Sequence, residues 1–442
     1  MSSVVVGGGL AGIAAALELA DAGEEVTLLE ARPRLGGATF SVERDGLWID
    51  NGQHVFLRCC TAYRALLDRL GTTRQTTLQR RLAIPVLRPG GRVSWLRRSD
   101  LPPPLHLAGS ILRYSPLPPR ERLRLLPAIR ALQRLSLDDP SLDDVTFGDW
   151  LAEHGQRNAA LHALWDLIAL PTLNLSAKDA SLALAAMVFK TGLLEEADAS
   201  DVGYASVPLQ RLHGDAAERA LGAAGVDVRV RARVRALTGT TVTWEGGAVD
   251  ASGVVLAVPH DEVVSLLPDD ALAPGIDLLQ LGVSPIVNLH VVYDRPVLRH
   301  AFAAAVESPV QWVFDRTESA GVRDGQYLAV SLSGADAYGD RTSDELRDEF
   351  LGALADLLPA ARTAQVASFF VTREPRATFR GVPGTARHRS GPTTNLPGVY
   401  LAGAWTATGW PATMEGAVRS GVAAARAVLH GARQAAPARG AA

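Results

Sequence analysis

Three glycines at a spacing that few folds tolerate stand between a strand and a helix near the start of the chain. Residues 3–31 read SVVVGGGLAGIAAALELADAGEEVTLLEA, so a β-branched run (Val4 to Val6) leads through Gly7-x-Gly9-x-x-Gly12 into a helical stretch. A second strand, Val26 to Leu29, then ends at Glu30. Glycines in this frame permit a tight turn, let backbone N–H groups approach a pyrophosphate at a helix N-terminus and let helix pack closely on sheet, with Ala16 small for the same reason. An acid about 20 residues on accepts hydrogen bonds from ribose hydroxyls, which is the place of Glu30. Strand, loop, helix and acid together predict a dinucleotide site rather than a plain strand–helix turn. On that reading Glu30→Ala weakens cofactor retention and leaves the fold intact, the position being partly exposed.

Composition narrows the class. With 442 residues, 47% hydrophobic and 21% charged, the chain is globular and long enough for two or three domains. A net charge of −3 removes the electrostatic case for a nucleic-acid partner. The two cysteines, Cys59 and Cys60, are adjacent, which suits neither a disulfide framework nor a metal site and fits a reducing cytoplasm. No metal is expected. The sequence shows neither a secretory n-region nor an uninterrupted apolar run of about 18 residues. Charge is nevertheless uneven: residues 69–134 hold fourteen arginines against two acids, Asp100 and Glu121. From Arg120 onward arginine and apolar positions follow helical spacing, as in an interfacial amphipathic helix, so residues 69–134 are expected either to touch an anionic membrane surface or to form a solvated basic face.

Glu30 is followed by ARPRLGGATF, a second glycine pair (Gly36, Gly37) behind Arg34, which resembles the double-glycine motif of the FAD-dependent amine oxidase and phytoene desaturase superfamily. That motif usually ends in arginine, whereas Ala38 stands here. The segment GVYLAGAWTATGWPATMEGAVRSG resembles the superfamily's C-terminal cofactor segment: a strand, Val399 to Leu401, a glycine turn, and a helix beginning near Ala412. The resemblance implies that the Met414 amide lies under the flavin pyrimidine ring, where the helix N-terminus stabilises negative charge. It puts Ala404 where an acid usually binds the ribityl chain.

The runs WIDNGQHVFLRCC, SPIVNLHVVYDRPV, SPVQWVFDR, RATFRGVPG and TGWPATMEGAVRSG, in order along nearly the whole chain, look like those of hydroxysqualene dehydroxylases, the squalene-associated flavoproteins of bacterial hopanoid pathways. The resemblance implies an α/β fold: a Rossmann-like FAD-binding domain of the glutathione-reductase type with a discontinuous α+β substrate-binding domain. The cofactor pieces are then 1–75, 216–275 and 389–430, the substrate pieces 76–215 and 276–388, with a flexible tail at 431–442. The implied contacts to FAD are Gly7, Gly9, Leu10, Ala11, Gly12, Glu30, Ala31, Arg34, Gly36, Gly37, Ala38, Gly52, Gln53, His54, Gly403, Ala404, Trp410, Pro411, Thr413 and Met414. Val234 would meet the adenine through its backbone.

The implied reaction is reduction of hydroxysqualene, a long apolar isoprenoid alcohol, to squalene, with electrons from an unidentified donor. Such a site needs a shielded apolar pocket and one group that protonates or orients the hydroxyl. His54, after the turn formed by Asp50, Asn51, Gly52 and Gln53, is the candidate for that role. Trp312, Phe314, Phe369, Phe370, Trp405 and Trp410 are candidates to line the pocket. Two other readings stand beside this one: an FAD-dependent desaturase or amine oxidase, and a flavin-free prenyl-lipid binder resembling Rab GDP-dissociation inhibitors. Neither Lys178 nor Lys190 matches the flavin-proximal lysine of amine oxidases.

Overall fold

Residues 2–435 are described by a computed structural model. The strand Ser2–Val6 forms the centre of a five-stranded parallel sheet. Glu25–Leu29 and then Asp227–Arg229 lie on one side, Gly253–Leu256 and then Val399–Leu401 on the other. Continuous valine and leucine runs suit strands covered on both faces, and Val254, Val255 and Leu256 have no exposure at all. The helix Leu10–Asp21 buries nine of its twelve residues. Its apolar surface is covered by the sheet, by the helix Asp215–Ala223 and by the C-terminal helix Met414–Ala435.

Two expectations are corrected here. The C-terminal helix starts at Met414 rather than near Ala412, because the Thr413 hydroxyl accepts from the Gly416 amide at 3.1 Å and so ends the preceding loop. Residues 431–435, expected in a flexible tail, belong to that helix; the rest of the expected tail, 436–442, lies outside the described residues.

The alternating stretch after residue 233 folds as an antiparallel meander of Val234–Thr238, Thr241–Trp244 and Gly247–Asp250. A second large sheet has seven strands, in the spatial order Val366–Thr378, Ser284–Tyr293, Gln326–Ser333, Trp312–Asp315, Phe302–Ala305, Ala83–Arg88 and Arg92–Arg97. Its two faces differ. Val287, Leu289 and Val291 share one face with Val313 and Val330 and pack with Phe350 and Leu354 of the helix Ser343–Leu357. Asn288 and His290, one residue out of phase, lie on the other face, in cross-strand rows with Ser331 and Trp312 and with Ala329 and Phe314. Beyond Phe314 and Phe302 that face meets a helical layer whose core includes Phe147, Trp150, Trp165 and Phe189. The helix Pro119–Arg134 belongs to this layer and fits the spacing seen in the sequence, with Pro119 in its first turn. Among the described residues, no helix is long and apolar enough to cross a membrane.

Candidate cofactor and active site

The loops that leave the carboxyl ends of the parallel strands converge. Gly12 sits so close to the first loop that a Cβ there would lie 1.8 Å from the Gly7 carbonyl oxygen. The Gly36 amide donates to the Gly8 carbonyl at 2.9 Å. Gly37, at φ +57°, lies against Gly9 with space for no side chain: a Cβ would come within 2.6 Å of the Gly9 Cα. Leu10 and Ala11 are buried in the first turn of the helix that follows. Two glycine loops thus face each other backbone to backbone at a helix N-terminus, where backbone amides and the helix dipole favour an anionic group.

Glu30 is buried beside them, not partly exposed as expected. Its carboxylate accepts from the Gly8 amide at 2.6 Å and from the Arg32 amide at 2.7 Å. Ala31 is exposed. The chain leaving the strand Asp227–Arg229 passes the same place, the Ala232 amide donating to the Glu30 carbonyl at 2.8 Å, and Val234 follows half-buried at the head of the meander. Arg34 stacks over Phe40 at 3.5 Å and donates to the Gly37 carbonyl at 3.4 Å; burial and the nearby Arg32 lower its pKa to about 10. Ala38 is exposed and its carbonyl accepts from the Asn51 side chain at 2.8 Å.

The C-terminal segment joins them through Val258, whose carbonyl accepts from the Trp405 indole at 3.0 Å beside the first glycine loop. The Gly403 amide donates to Ser420 Oγ at 2.8 Å. A residue absent from the sequence reading organises this loop: the buried Arg389 guanidinium donates to the carbonyls of Thr406 and Trp410 at 2.6 Å each, Trp405 at 3.1 Å and Ala404 at 3.4 Å. Pro411 is buried, Trp410 lies under Arg419, and Met414 opens the helix. The next residue, Glu415, is buried and binds the amides of Ala62 and Tyr63 at 3.1 and 2.7 Å, so it caps the helix Thr61–Arg69 from 352 residues away.

The turn from Asp50 to His54 is held by partners from several elements of the fold. Asp50 accepts from Ser41 Oγ at 2.6 Å, the Leu209 amide at 3.0 Å and Arg316 Nη2 at 2.8 Å. Asn288 reaches from the seven-stranded sheet to donate to the Asn51 carbonyl at 3.1 Å. Gly52 is buried next to it, and Gln53 places its Nε2 in the interior with no partner. His54 Nδ1–H donates to the Gly52 carbonyl at 3.1 Å, which leaves Nε2 as an acceptor. Burial holds this imidazole below its ordinary range, against the opposing pulls of Gly52 and Asp50. At neutral pH the ring is therefore uncharged, with Nε2 able to accept a hydrogen bond and little capacity to supply a proton.

The aromatic candidates do not form one wall. Phe370 stacks on His290 with ring centroids 4.5 Å apart, while Phe369 belongs to the opposite face of the sheet, as alternation along a strand requires. Trp312 and Phe314 do cluster, with Phe302, on the face that carries Asn288. The amine-oxidase lysine has no counterpart at the turn: Lys190 is bound to the carbonyls of Gln133 and Leu135 at 3.1 and 2.6 Å, and Lys178 is exposed.

Two consequences are measurable. Because the Glu30 carboxylate holds two loop amides, Glu30→Ala is expected to lower flavin content and also to destabilise the fold by about 1–3 kcal/mol; a variant that melts like the parent yet lacks flavin would return Glu30 to a purely ligand-facing role. Second, burial drives the imidazoles of His213 and His290 down to about 3. Both are neutral in the fold where the unfolded chain is protonated, so stability falls as pH drops from about 6.5 toward 3, by roughly 2 kcal/mol each at pH 5. Asp166 and Glu374, pushed up by burial, act in the opposite sense at lower pH. Urea midpoints at pH 7.5 and 5.0 check this, and equal midpoints would contradict it.

The chain matches the family described as flavin containing amine oxidoreductase over residues 10–429, and it belongs to that family. It is 30% identical to hydroxysqualene dehydroxylase of Rhodopseudomonas palustris over 97% of this chain and 98% of the relative. It is 25% identical to the 15-cis-phytoene desaturase of Solanum lycopersicum over 96% of this chain and 77% of the relative. In structure it resembles a redesigned putrescine oxidase (TM-score 0.72, 23% identity, 97% and 99% of the two chains). It also resembles cyclohexylamine oxidase of Brevibacterium oxydans (TM-score 0.69, 21% identity, 98% and 99%). The cofactor is FAD, the protein is an FAD-dependent oxidoreductase of the amine oxidase and desaturase superfamily, and the flavin-free reading is not retained.

Proposed function

We propose that this flavoprotein is a hydroxysqualene dehydroxylase. The observation that carries the reading is the 30% identity that runs end to end through two chains of matching extent. In the reaction, hydride from reduced FAD replaces the hydroxyl of hydroxysqualene, which leaves with one proton as water, so that two electrons reduce one C–O bond. In this proposal the glycine loops, Glu30, Arg34, the turn at Gly52 to His54, Val234 and the segment from Gly403 to Met414 hold the cofactor. The five-stranded parallel sheet and its meander form the cofactor domain, and the seven-stranded sheet with its helical layer the substrate domain. His54 orients the reacting groups through its Nε2 acceptor, and the aromatic face with Trp312 and Phe314 excludes water from the isoprenoid.

The test is anaerobic. The purified holoenzyme is photoreduced and mixed with hydroxysqualene while flavin absorbance and product mass are followed. Reoxidation with squalene formed supports the reading, and reduced enzyme that ignores the alcohol overturns it. The second reading, an isoprenoid desaturase, is favoured by the likeness to phytoene and zeta-carotene desaturases. It predicts the reverse electron flow, with oxidised enzyme bleached by a polyene precursor.

The proposal includes a peripheral site on the inner face of the membrane. Leu101, Leu105, Leu112, Leu123, Leu126 and Leu137 are exposed, up to 70% for Leu123. Arg120, Arg130 and Arg134 are exposed on the same helix as Leu123 and make no ion pair among the described residues. Leucine side chains among unpaired cations suit an anionic bilayer, the source of an apolar substrate. Co-sedimentation with vesicles containing anionic lipid should be strong at low salt and fall steeply as added ions screen the exposed charges, the screening length being about 8 Å at physiological ionic strength. Binding that ignores salt would remove the electrostatic part of the idea. Fractionation of cell extract against the oxidised enzyme would identify the electron donor.

A further inference from the structure

Asn288 carries a buried polar atom that nothing in the protein satisfies. The residue has no solvent exposure, its Nδ2 donates to the Asn51 carbonyl at 3.1 Å, and its Oδ1 has no hydrogen-bond partner. The carboxamide orientation is fixed, because only the NH2 end can donate to a carbonyl. Leaving an acceptor unmet in the interior costs free energy that a bound donor recovers. The surroundings define that donor. Asn288 stands in the cross-strand row Thr372–Asn288–Ser331–Trp312, so its neighbours lead to the aromatic face, while its other end is tied to the turn before His54. Two residues beyond Asn51, Gln53 Nε2 is a buried donor that likewise lacks a partner. An unmet acceptor and an unmet donor flank one turn.

We infer that Asn288, with Gln53, binds the hydroxyl group of the substrate: Oδ1 accepts its O–H and Gln53 Nε2 donates to its oxygen. This rests on the reading of the substrate as an isoprenoid alcohol and adds the residues that recognise the alcohol function. A pure hydrocarbon would leave both groups unpaired, so Asn288 sets a preference for alcohol over alkene. The same acceptor chemistry has one other source, an N–H of the flavin ring, and the experiment separates the two.

Oxidised holoenzyme is titrated with hydroxysqualene and with squalene, and with farnesol and its deoxygenated hydrocarbon, and affinity is read from flavin spectral changes. Flavin content, midpoint potential and melting temperature are measured in parallel. The native protein is expected to bind each alcohol at least about tenfold more tightly than its hydrocarbon. Asn288→Leu is expected to abolish that preference by weakening alcohol binding alone, with the potential of the bound flavin unchanged and affinities read per bound flavin because the contact to Asn51 is also lost. If Asn288→Leu does not fold, Asn288→Ser, whose short hydroxyl cannot reach the carboxamide position, gives the same comparison. A shifted potential with the alcohol preference intact would assign Oδ1 to the flavin and overturn the inference. Loss of flavin with both ligands weakened equally would make Asn288 only a clamp on the turn, and overturn it too. If hydroxysqualene is not turned over while the farnesol pair is still discriminated through Asn288, the proposed function fails and this inference stands. A native protein that does not distinguish either alcohol from its hydrocarbon sinks it.

Discussion

Gly12→Ala should yield a protein without flavin and with markedly reduced stability. One methyl group is added, but its carbon would sit 1.8 Å from the Gly7 carbonyl oxygen and 3.3 Å from the Ala257 side chain. The first contact is to backbone, so no rotamer change relieves it; the helix Leu10–Asp21 must move away from the strand that feeds it. That movement opens the contacts between the first glycine loop and Gly36 and Gly37 and displaces the Gly8 amide from Glu30. Overpacking of this kind costs about 3 kcal/mol or more. The ratio of flavin to protein absorbance and the melting temperature measure both effects. Full flavin content with a melting point within a degree or two of the parent would falsify the close packing described for this loop.

Breaking the buried ion pair between Arg316 and Asp50 is the second large effect. Arg316 lies at the end of the strand Trp312–Asp315 of the seven-stranded sheet and donates to Asp50 at 2.8 Å and to the Ala205 carbonyl at 2.8 Å. Both side chains are below one-tenth exposed. Arg316→Met leaves the Asp50 carboxylate with Ser41 and the Leu209 amide as its remaining donors among the described residues and without a countercharge, a loss of about 3–5 kcal/mol. Replacing both partners, Arg316→Met with Asp50→Asn, removes the stranded charge and should recover much of that loss. Urea denaturation of the two single variants and the double variant measures the coupling; additive losses would show that the pair is not a unit. Since Asp50 opens the turn that ends at His54, the single variant should also bind flavin more weakly.

What could be read from the sequence was local. Val4 to Val6, the glycine frame and Val399 to Leu401 announced themselves because parallel strands covered on both faces leave continuous apolar runs, and the helix Pro119–Arg134 because its periodicity is that of a one-sided helix. A dinucleotide site followed from the glycine frame and Glu30, and FAD from the family resemblance that the second glycine pair carries. Long-range polar partners were hidden. Arg316 meets Asp50 across 266 residues and Arg389 gathers carbonyls of a loop, yet in a chain whose basic residues are almost all arginine neither stands out. Glu30 was read as partly exposed because the spacing that identifies a ribose-binding acid says nothing of the amides around it. Phe369 and Phe370 looked equivalent until strand alternation sent them to opposite faces, and the unmet oxygen of Asn288 has no signature in sequence at all.

The carboxylate of Glu415 that closes the helix Thr61–Arg69 also bears on biosynthesis. As the ribosome releases this chain, the opening strand and helix emerge first, but the edge strand Val399–Leu401, the covering helix and Glu415 emerge only after more than 370 further residues. Until then the nascent opening helix lacks its apolar cover and the Ala62 and Tyr63 amides lack their acceptor. If the C-terminal segment holds the flavin as proposed, completion of the cradle is a late event that waits on its arrival.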